Sequence, residues 1–205
     1  MEQSLRIDRP PIVNIVGERV ALGPLRRDLL PLMQRWHNDF FVRRTFGIPE
    51  PGTLEQMARL GDEIIAMDDT EHFLVYERRG TPGDDLRPIG YTYLTAIDFR
   101  HRTAEFGIML GEADARGKGY GTEATLLTLD FGFIGLGLHN IALRYYVYNR
   151  AGRRAYEKAG FREFARRRES KMLGGRLWDQ VYMQCLATDF VSPVLSRVLA
   201  PDEER

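Results

Sequence analysis

Seven consecutive residues, Arg116-Gly117-Lys118-Gly119-Tyr120-Gly121-Thr122, concentrate the chemistry of the chain. Three alternating glycines let the backbone turn tightly and present its N–H groups with no Cβ in a ligand's way. From Tyr120 the apolar positions run Ala124, Leu127, Phe131, Ile134 and Leu138, a four-and-three spacing that predicts one buried face of a helix. The unpaired N–H groups of its first turn converge on the glycines, and a helix N-terminus attracts a di-anion through both its donors and its dipole. Arg116 and Lys118 add countercharge. The chemistry indicated is a phosphate cradle; the alternative is an ordinary glycine-rich strand-to-helix turn.

Two better-known phosphate loops do not fit. A Walker loop has four residues between its first glycine and Gly-Lys-Ser/Thr. Here five residues separate Gly111 from Gly117, and Gly119 stands where a Mg²⁺-binding hydroxyl is needed. A dinucleotide fingerprint requires an acidic residue on the following strand. The strand-like run at 141–148 contains none.

Arg116-x-x-Gly119-x-Gly121 resembles the acyl-CoA pyrophosphate loop of the GNAT superfamily of N-acyltransferases. A second signature follows in order: Asn149, then Ala151-Gly152-Arg153-Arg154-Ala155-Tyr156-Glu157-Lys158-Ala159-Gly160-Phe161. It is similar to the family's asparagine and short helix ending in Tyr-Glu-x-x-Gly-Phe. Residues 104–108 and 19–28 resemble the branch that acetylates N-terminal amines of ribosomal proteins, with polyamine acetyltransferases as neighbours. The resemblance implies an acetyl-CoA-dependent N-acetyltransferase that joins acetyl-CoA and a primary amine in a ternary complex. It also implies a splayed parallel strand pair that admits the pantetheine arm.

Acyl transfer to an amine needs a deprotonated amine, a stabilised oxyanion and a proton for the departing thiolate. Tyr156 lies seven residues, about two helical turns, beyond Asn149, so both can face the thioester. Its phenol is the candidate donor to the thiolate, or else an aromatic packing the helix onto the sheet. The resemblance makes Asn149 a partner of the pantetheine arm and Glu105 the candidate base, against a plain surface carboxylate. Backbone N–H groups around Ile108, Met109 and Leu110 are the best source of an oxyanion hole. The resemblance assigns cofactor binding to residues 108–110, Arg116, Gly117, Lys118, Gly119, Tyr120, Gly121, Thr122 and Asn149.

The elements that position these residues read as α+β with a mixed, mainly antiparallel sheet and helices on both faces. Residues 1–18, with Pro10 and Pro11, form an extended lead-in; 19–186 form one domain; 187–205 form a tail, helical in part. Residues 19–25 are an edge strand because of Pro24. Asp28 caps a helix carrying Leu29, Leu32, Met33 and Trp36. Residues 40–52 are loop, and a second helix after Thr53 buries Leu54, Met57, Ile64 and Ile65. Strands follow at 72–77, 88–97 and 103–111, with a turn at 80–85. Beyond the cradle come a strand at 141–148, a helix at 151–159, and strands at 161–168 and 178–186 around a Gly174-Gly175 turn.

Composition narrows the function classes. Lysine plus arginine and aspartate plus glutamate are each 29, so zero net charge gives no support to nucleic-acid or acidic-membrane binding. Arg166-Arg167-Arg168 reads as a solvated strand edge. One cysteine, Cys185, excludes an intramolecular disulfide and points to the cytoplasm; it reads as core rather than nucleophile. No histidine, cysteine and acid cluster has metal-ligand spacing, so no metal is expected. Trp36, Phe40, Phe41 and Phe46 fit either an acceptor pocket or core. Phe190, Val194, Leu195 and Val198 in the tail, with the ribosomal-protein resemblance, predict a homodimer. Two other functions stay open: acetylation of polyamines or other small amines, antibiotics included, and CoA sensing without turnover.

Overall fold

A computed structural model describes residues 10–46, 51–80 and 85–202. Its strands are β1 (Ile15–Val16), β2 (Val20–Pro24), β3 (Glu71–Arg79), β4 (Asp85–Asp98), β5 (Thr103–Leu110), β6 (Asn140–Tyr146), β7 (Arg162–Leu173) and β8 (Arg176–Leu186). Its α-helices are α1 (Leu30–Asn38), α2 (Phe40–Arg43), α3 (Leu54–Ala66), α4 (Tyr120–Asp130), α5 (Arg150–Lys158) and α6 (Leu195–Val198). The strands form a sheet in the order β1-β2-β3-β4-β5-β6-β8-β7. Every neighbouring pair is antiparallel except β5 and β6, which the α4 crossover makes parallel.

Alternation along β3 separates the two faces. Leu74 and Tyr76, with Tyr91 and Met109 from β4 and β5, pack against Leu32, Met33, Trp36 and Met57 of α1 and α3. Phe73 and Val75 point the other way and pack against Ala124 and Leu127 of α4. Helices therefore cover both faces, as expected. Trp36 is anchored twice: its Nε1 donates to Glu112 Oε1 at 2.7 Å, and its indole fills the space that a Cβ on Gly111 would occupy. Losing such a buried indole typically costs about 3–5 kcal/mol, and here it would loosen α1 beside the end of β5.

Several expectations are corrected. Residues 15–16 lie inside the supposed lead-in yet pair with β2, so Pro24 ends an internal strand rather than marking an edge. Pro24 falls last in β2, where its missing N–H costs little. Asp28 does not cap α1; it sits in a 3₁₀ turn and accepts from Arg26 Nε at 2.9 Å. The stretch at 40–52 is not all loop, because Asp39 accepts from Phe41 N and starts α2; residues 47–50 lie outside the described residues. So do 81–84, within the turn expected at 80–85. Helix α3 begins at a Thr53–Gln56 capping box, but it buries only Met57, with Leu54 and Ile65 exposed.

The face expected along α4 also rotates at its end. Phe131–Gly135 is a π turn, with Leu136 N donating to Phe131 O. The extra residue in that turn rotates the face, burying Phe133 and leaving Ile134 40% exposed. The tail then docks on this segment. Asp130 Oδ2 accepts from Val194 N and Leu195 N at 3.0 and 2.8 Å, and Phe190 packs on Phe133. Phe190, Val194 and Leu195 are thus used within the chain, which removes them as an argument for a homodimer.

Gly174 and Gly175 both have positive φ, the geometry of a two-residue hairpin turn between β7 and β8. Arg166, on edge strand β7, is ion-paired with Glu163 and Asp179. Cys185 is buried in β8, where burial pushes its thiol up to about 11. Among the described residues no helix is long and apolar enough to cross a membrane, and no cluster of three metal-ligating side chains occurs.

Candidate active site

Parallel pairing of β5 with β6 covers only Thr103–Asn140, Ala104–Ile141 and Glu105–Ala142. Beyond Glu105 the two strands part. Strand β5 stays paired with β4 up to Leu110, and Gly111 N donates to Ile89 O. Since donors alternate along a strand, this register turns the N–H groups of Ile108 and Leu110 away from β4 and into the gap. That leaves backbone donors facing an open cleft.

The glycine loop closes one end of the cleft. Gly117 and Gly119 take φ of +78° and +86°, a left-handed geometry that favours glycine. Gly119 is the N-cap of α4 and no side chain caps it, so the first-turn N–H groups keep their donors. Gly121 has ordinary helical geometry and lies against β5, where a Cβ would stand 3.4 Å from Leu110 Cδ1. Arg116, Gly117, Gly119, Gly121 and Thr122 line a groove of about 640 Å³, together with Ile108, Met109, Leu110, Asn149 and Tyr156.

Two loop residues expected in the groove face elsewhere. Tyr120 donates its hydroxyl to Glu77 Oε1 at 2.9 Å, and Lys118 Nζ lies 4.0 Å from the same carboxylate. Burial alone would raise the carboxyl pKa of Glu77. Hydrogen bonds from Tyr120 and Arg79, with nearby cations, outweigh burial and hold it below the usual range. Lys118 and Tyr120 therefore tie the loop to β3 from behind. Arg19 joins them, donating to Lys118 O and pairing with Glu123 at 3.1 Å. Arg116 also turns inward, donating to Gly111 O at 2.9 Å while its guanidinium lies over the Phe41 ring.

Besides Arg44 and Arg116, the cations that line the groove come from the helix of the second motif, whose charges sequence reasoning passed over. Arg150, Arg154 and Lys158 lie one turn apart on α5, all exposed along its groove side. Their i, i+4, i+8 spacing was the signal available in the sequence. Asn149 starts this helix, its Oδ1 accepting from Gly152 N at 3.0 Å. This leaves the amide nitrogen as a donor for a ligand.

Tyr156 sits on the buried side of α5, edge-on to Phe106 and against Tyr145. Burial raises its hydroxyl pKa, with Tyr93 and Tyr145 adding to the shift, so the phenol stays protonated and remains a donor. Tyr156, Asn149 and Ile108 line both the groove and a second cavity of about 200 Å³ on the far side of the gap. Glu105 and Arg144 line only the second, 3.9 Å apart. Odd-numbered residues of β5 face α1 and α3 while Phe106 faces α5, so Glu105 and Tyr156 approach the gap from opposite faces of the sheet.

A third cavity of about 220 Å³ lies between α1, α3 and the sheet. It shares Phe46 and Tyr93 with the second. His37, Tyr91, Tyr93 and His72 form a row of stacked rings along it, with successive centroids 5.8, 6.2 and 5.3 Å apart. Burial, joined at His37 by the nearby Arg43 charge, depresses both histidines to about 4 and keeps them neutral. Trp36 belongs to the core, Phe40 is exposed, Phe41 lines the groove and Phe46 lines all three cavities.

Comparison with known proteins bears on the family and the fold. The family described as "Acetyltransferase (GNAT) domain" matches residues 19–162. Spermidine N(1)-acetyltransferase of Vibrio cholerae is 33% identical over 51% of this chain and 60% of its own length. The chain thus spans about three-fifths of that relative. The Escherichia coli protein of the same name is 32% identical over 69% of this chain and 72% of its own. The crystal structure of spermidine N-acetyltransferase from V. cholerae in complex with CoA and spermine superposes with a TM-score of 0.75 at 26% identity. It covers 84% of this chain and 98% of that one.

Proposed function

Because the chain belongs to the GNAT acetyltransferase family, we propose that it transfers an acetyl group from acetyl-CoA to a primary amine by direct attack. One observation carries the reading: the groove with the glycine loop and the cavity with Glu105 share a wall that includes Tyr156, Asn149 and Ile108. In this reading the loop N–H groups and the α5 cations hold the pyrophosphate and its neighbouring phosphate. Asn149 binds the pantetheine arm. Ile108 and Leu110 offer N–H groups to the carbonyl oxygen as it gains charge, in a site that water leaves on binding. Glu105, directly or through water, takes the amine proton on the α1–α3 face. The nitrogen bonds to the acetyl carbon, the C–S bond breaks, and Tyr156 donates to the departing thiolate.

A polyamine acceptor is the second reading, favoured by the names of the relatives; a peptide N-terminus is the other acceptor open to this site. Incubation with acetyl-CoA and a panel of peptides, polyamines and aminoglycosides, followed by thiol release, tests the proposal. Amine-dependent release supports it. CoA binding with no release for any amine would leave a sensor instead.

A further inference from the structure

The acceptor side of the gap has a composition that chooses among amines. A polyamine carries several ammonium groups, and each needs a carboxylate or other acceptor when it leaves water. Among the described residues the two acceptor-side cavities contain two carboxylates, Asp62 and Glu105, against three arginines, Arg26, Arg27 and Arg144. Both carboxylates are already spoken for: Asp62 pairs with Arg27, and Glu105 with Arg144. Arg26 is likewise paired with Asp28, so each carboxylate here already has its arginine and none is left over for a polycation.

The cavity between α1 and α3 offers apolar surface instead. Leu25, Leu30, Met33, Met57, Ala58 and Ile64 form its walls, facing the His37–Tyr91–Tyr93–His72 row. The burial that keeps both histidines neutral would penalise an ammonium in the same place. About 220 Å³ is ample for a phenyl ring, since an apolar cavity of roughly 150 Å³ takes benzene. His72 Nε2 is buried with no hydrogen-bond partner and offers the occupant one polar contact. Among the described residues the Phe46 and Tyr93 rings line both this cavity and the Glu105 cavity, so a substituent trailing from an amine at the gap would run past them.

Resting on the acetyltransferase reading, we propose that the preferred acceptor is a primary amine bearing a single aromatic or aliphatic group, held in the α1–α3 cavity, and not a polyamine. Both a free aralkyl amine and a peptide with an apolar first residue have this chemistry.

Calorimetry on the CoA-loaded protein separates the cases, using 2-phenylethylamine, a tripeptide beginning with phenylalanine, and spermidine. At least one of the first two should bind tenfold or more tightly than spermidine, and which one identifies the source. Ala58→Phe fills the cavity from α3 and should weaken that ligand at least tenfold with CoA affinity kept. Leu60→Lys, at a side chain 41% exposed at the cavity mouth, gives the same test with no burden on the core. Tighter binding of spermidine than of both aromatic ligands, or aromatic affinity that is unchanged in both variants, overturns the proposal. Thiol release is scored separately. Cavity-dependent aromatic binding without release for any amine would remove the acetyltransferase reading and leave the ligand assignment standing.

Discussion

On the α4–α5 face, most of the groove comes from two short runs of chain, 108–122 and 149–158, with α2 and the residues after it closing the side. On the α1–α3 face, the acceptor cavities draw their lining from many elements far apart in sequence, among them α1, α3, β3, β4, β5, β6 and β8. The first surface is made of backbone donors and a helix end, whose geometry follows from glycines at fixed spacing. The second is made by packing, so any residue with the right volume can occupy each position. A cofactor common to many enzymes calls for the first kind of surface, and an acceptor that differs among them is served by the second.

The contrast can be broken at the residues where the two surfaces meet. The largest effect is expected at Tyr156→Phe, which keeps the ring against Phe106 and Tyr145 but removes the donor. kcat should fall by roughly 10² to 10⁴-fold with CoA affinity and KM little changed. A wild-type kcat with chemistry shown to be rate-limiting would make the tyrosine a packing residue.

A smaller effect sharpens the division within the loop region itself. Arg154→Ala should weaken CoA binding by about 10-fold, the scale of a lost charge-assisted contact, and the loss should shrink as salt rises. Lys118→Ala should change affinity by less than about 2-fold, since its ammonium faces Glu77 behind the loop. Calorimetric titration at two salt concentrations compares them; equal losses would erase the distinction drawn here.

The smallest effect belongs to the acceptor side. His37 and His72 titrate near 4 in the fold and near 6.5 when unfolded, so between those values the unfolded chain binds more protons. Their contribution is fully present above about pH 6.5 and is lost as pH falls toward 4. Tm should therefore drop on acidification from 7 to 5, and His72→Phe should flatten that slope by about 3 °C. An unchanged slope would mean that His72 is as well solvated folded as unfolded.

Legibility in the sequence follows the same division. The succession of strands and helices from residue 72 onward, the parallel crossover and the two motifs around the gap could be read because each rests on local spacing. The direction of the Lys118 and Tyr120 side chains could not, since it depends on Glu77, more than forty positions away and buried on another strand. The π turn after α4 was hidden because an apolar pattern at four-and-three spacing does not reveal one inserted residue. Arg150, Arg154 and Lys158 were visible as a helical stripe, yet only the fold shows which way that stripe faces. The acceptor cavities left no spacing to find, because His37, His72, Tyr91 and Tyr93 become neighbours only when α1 folds over β3 and β4.

The claim that CoA occupies the β5–β6 gap is tested most directly at Gly121. Gly119 is a poor choice, since its φ of +86° would strain any side chain and confuse folding with binding. Gly121 lines the groove with helical geometry, and its Cβ would enter the space beside Leu110 with only a slight shift of that side chain. Calorimetric titration of acetyl-CoA into wild-type and Gly121→Val protein, with folding checked by thermal melting, should give saturable one-to-one binding that the substitution weakens at least tenfold. A folded Gly121→Val protein with wild-type affinity would place the cofactor somewhere other than this cleft.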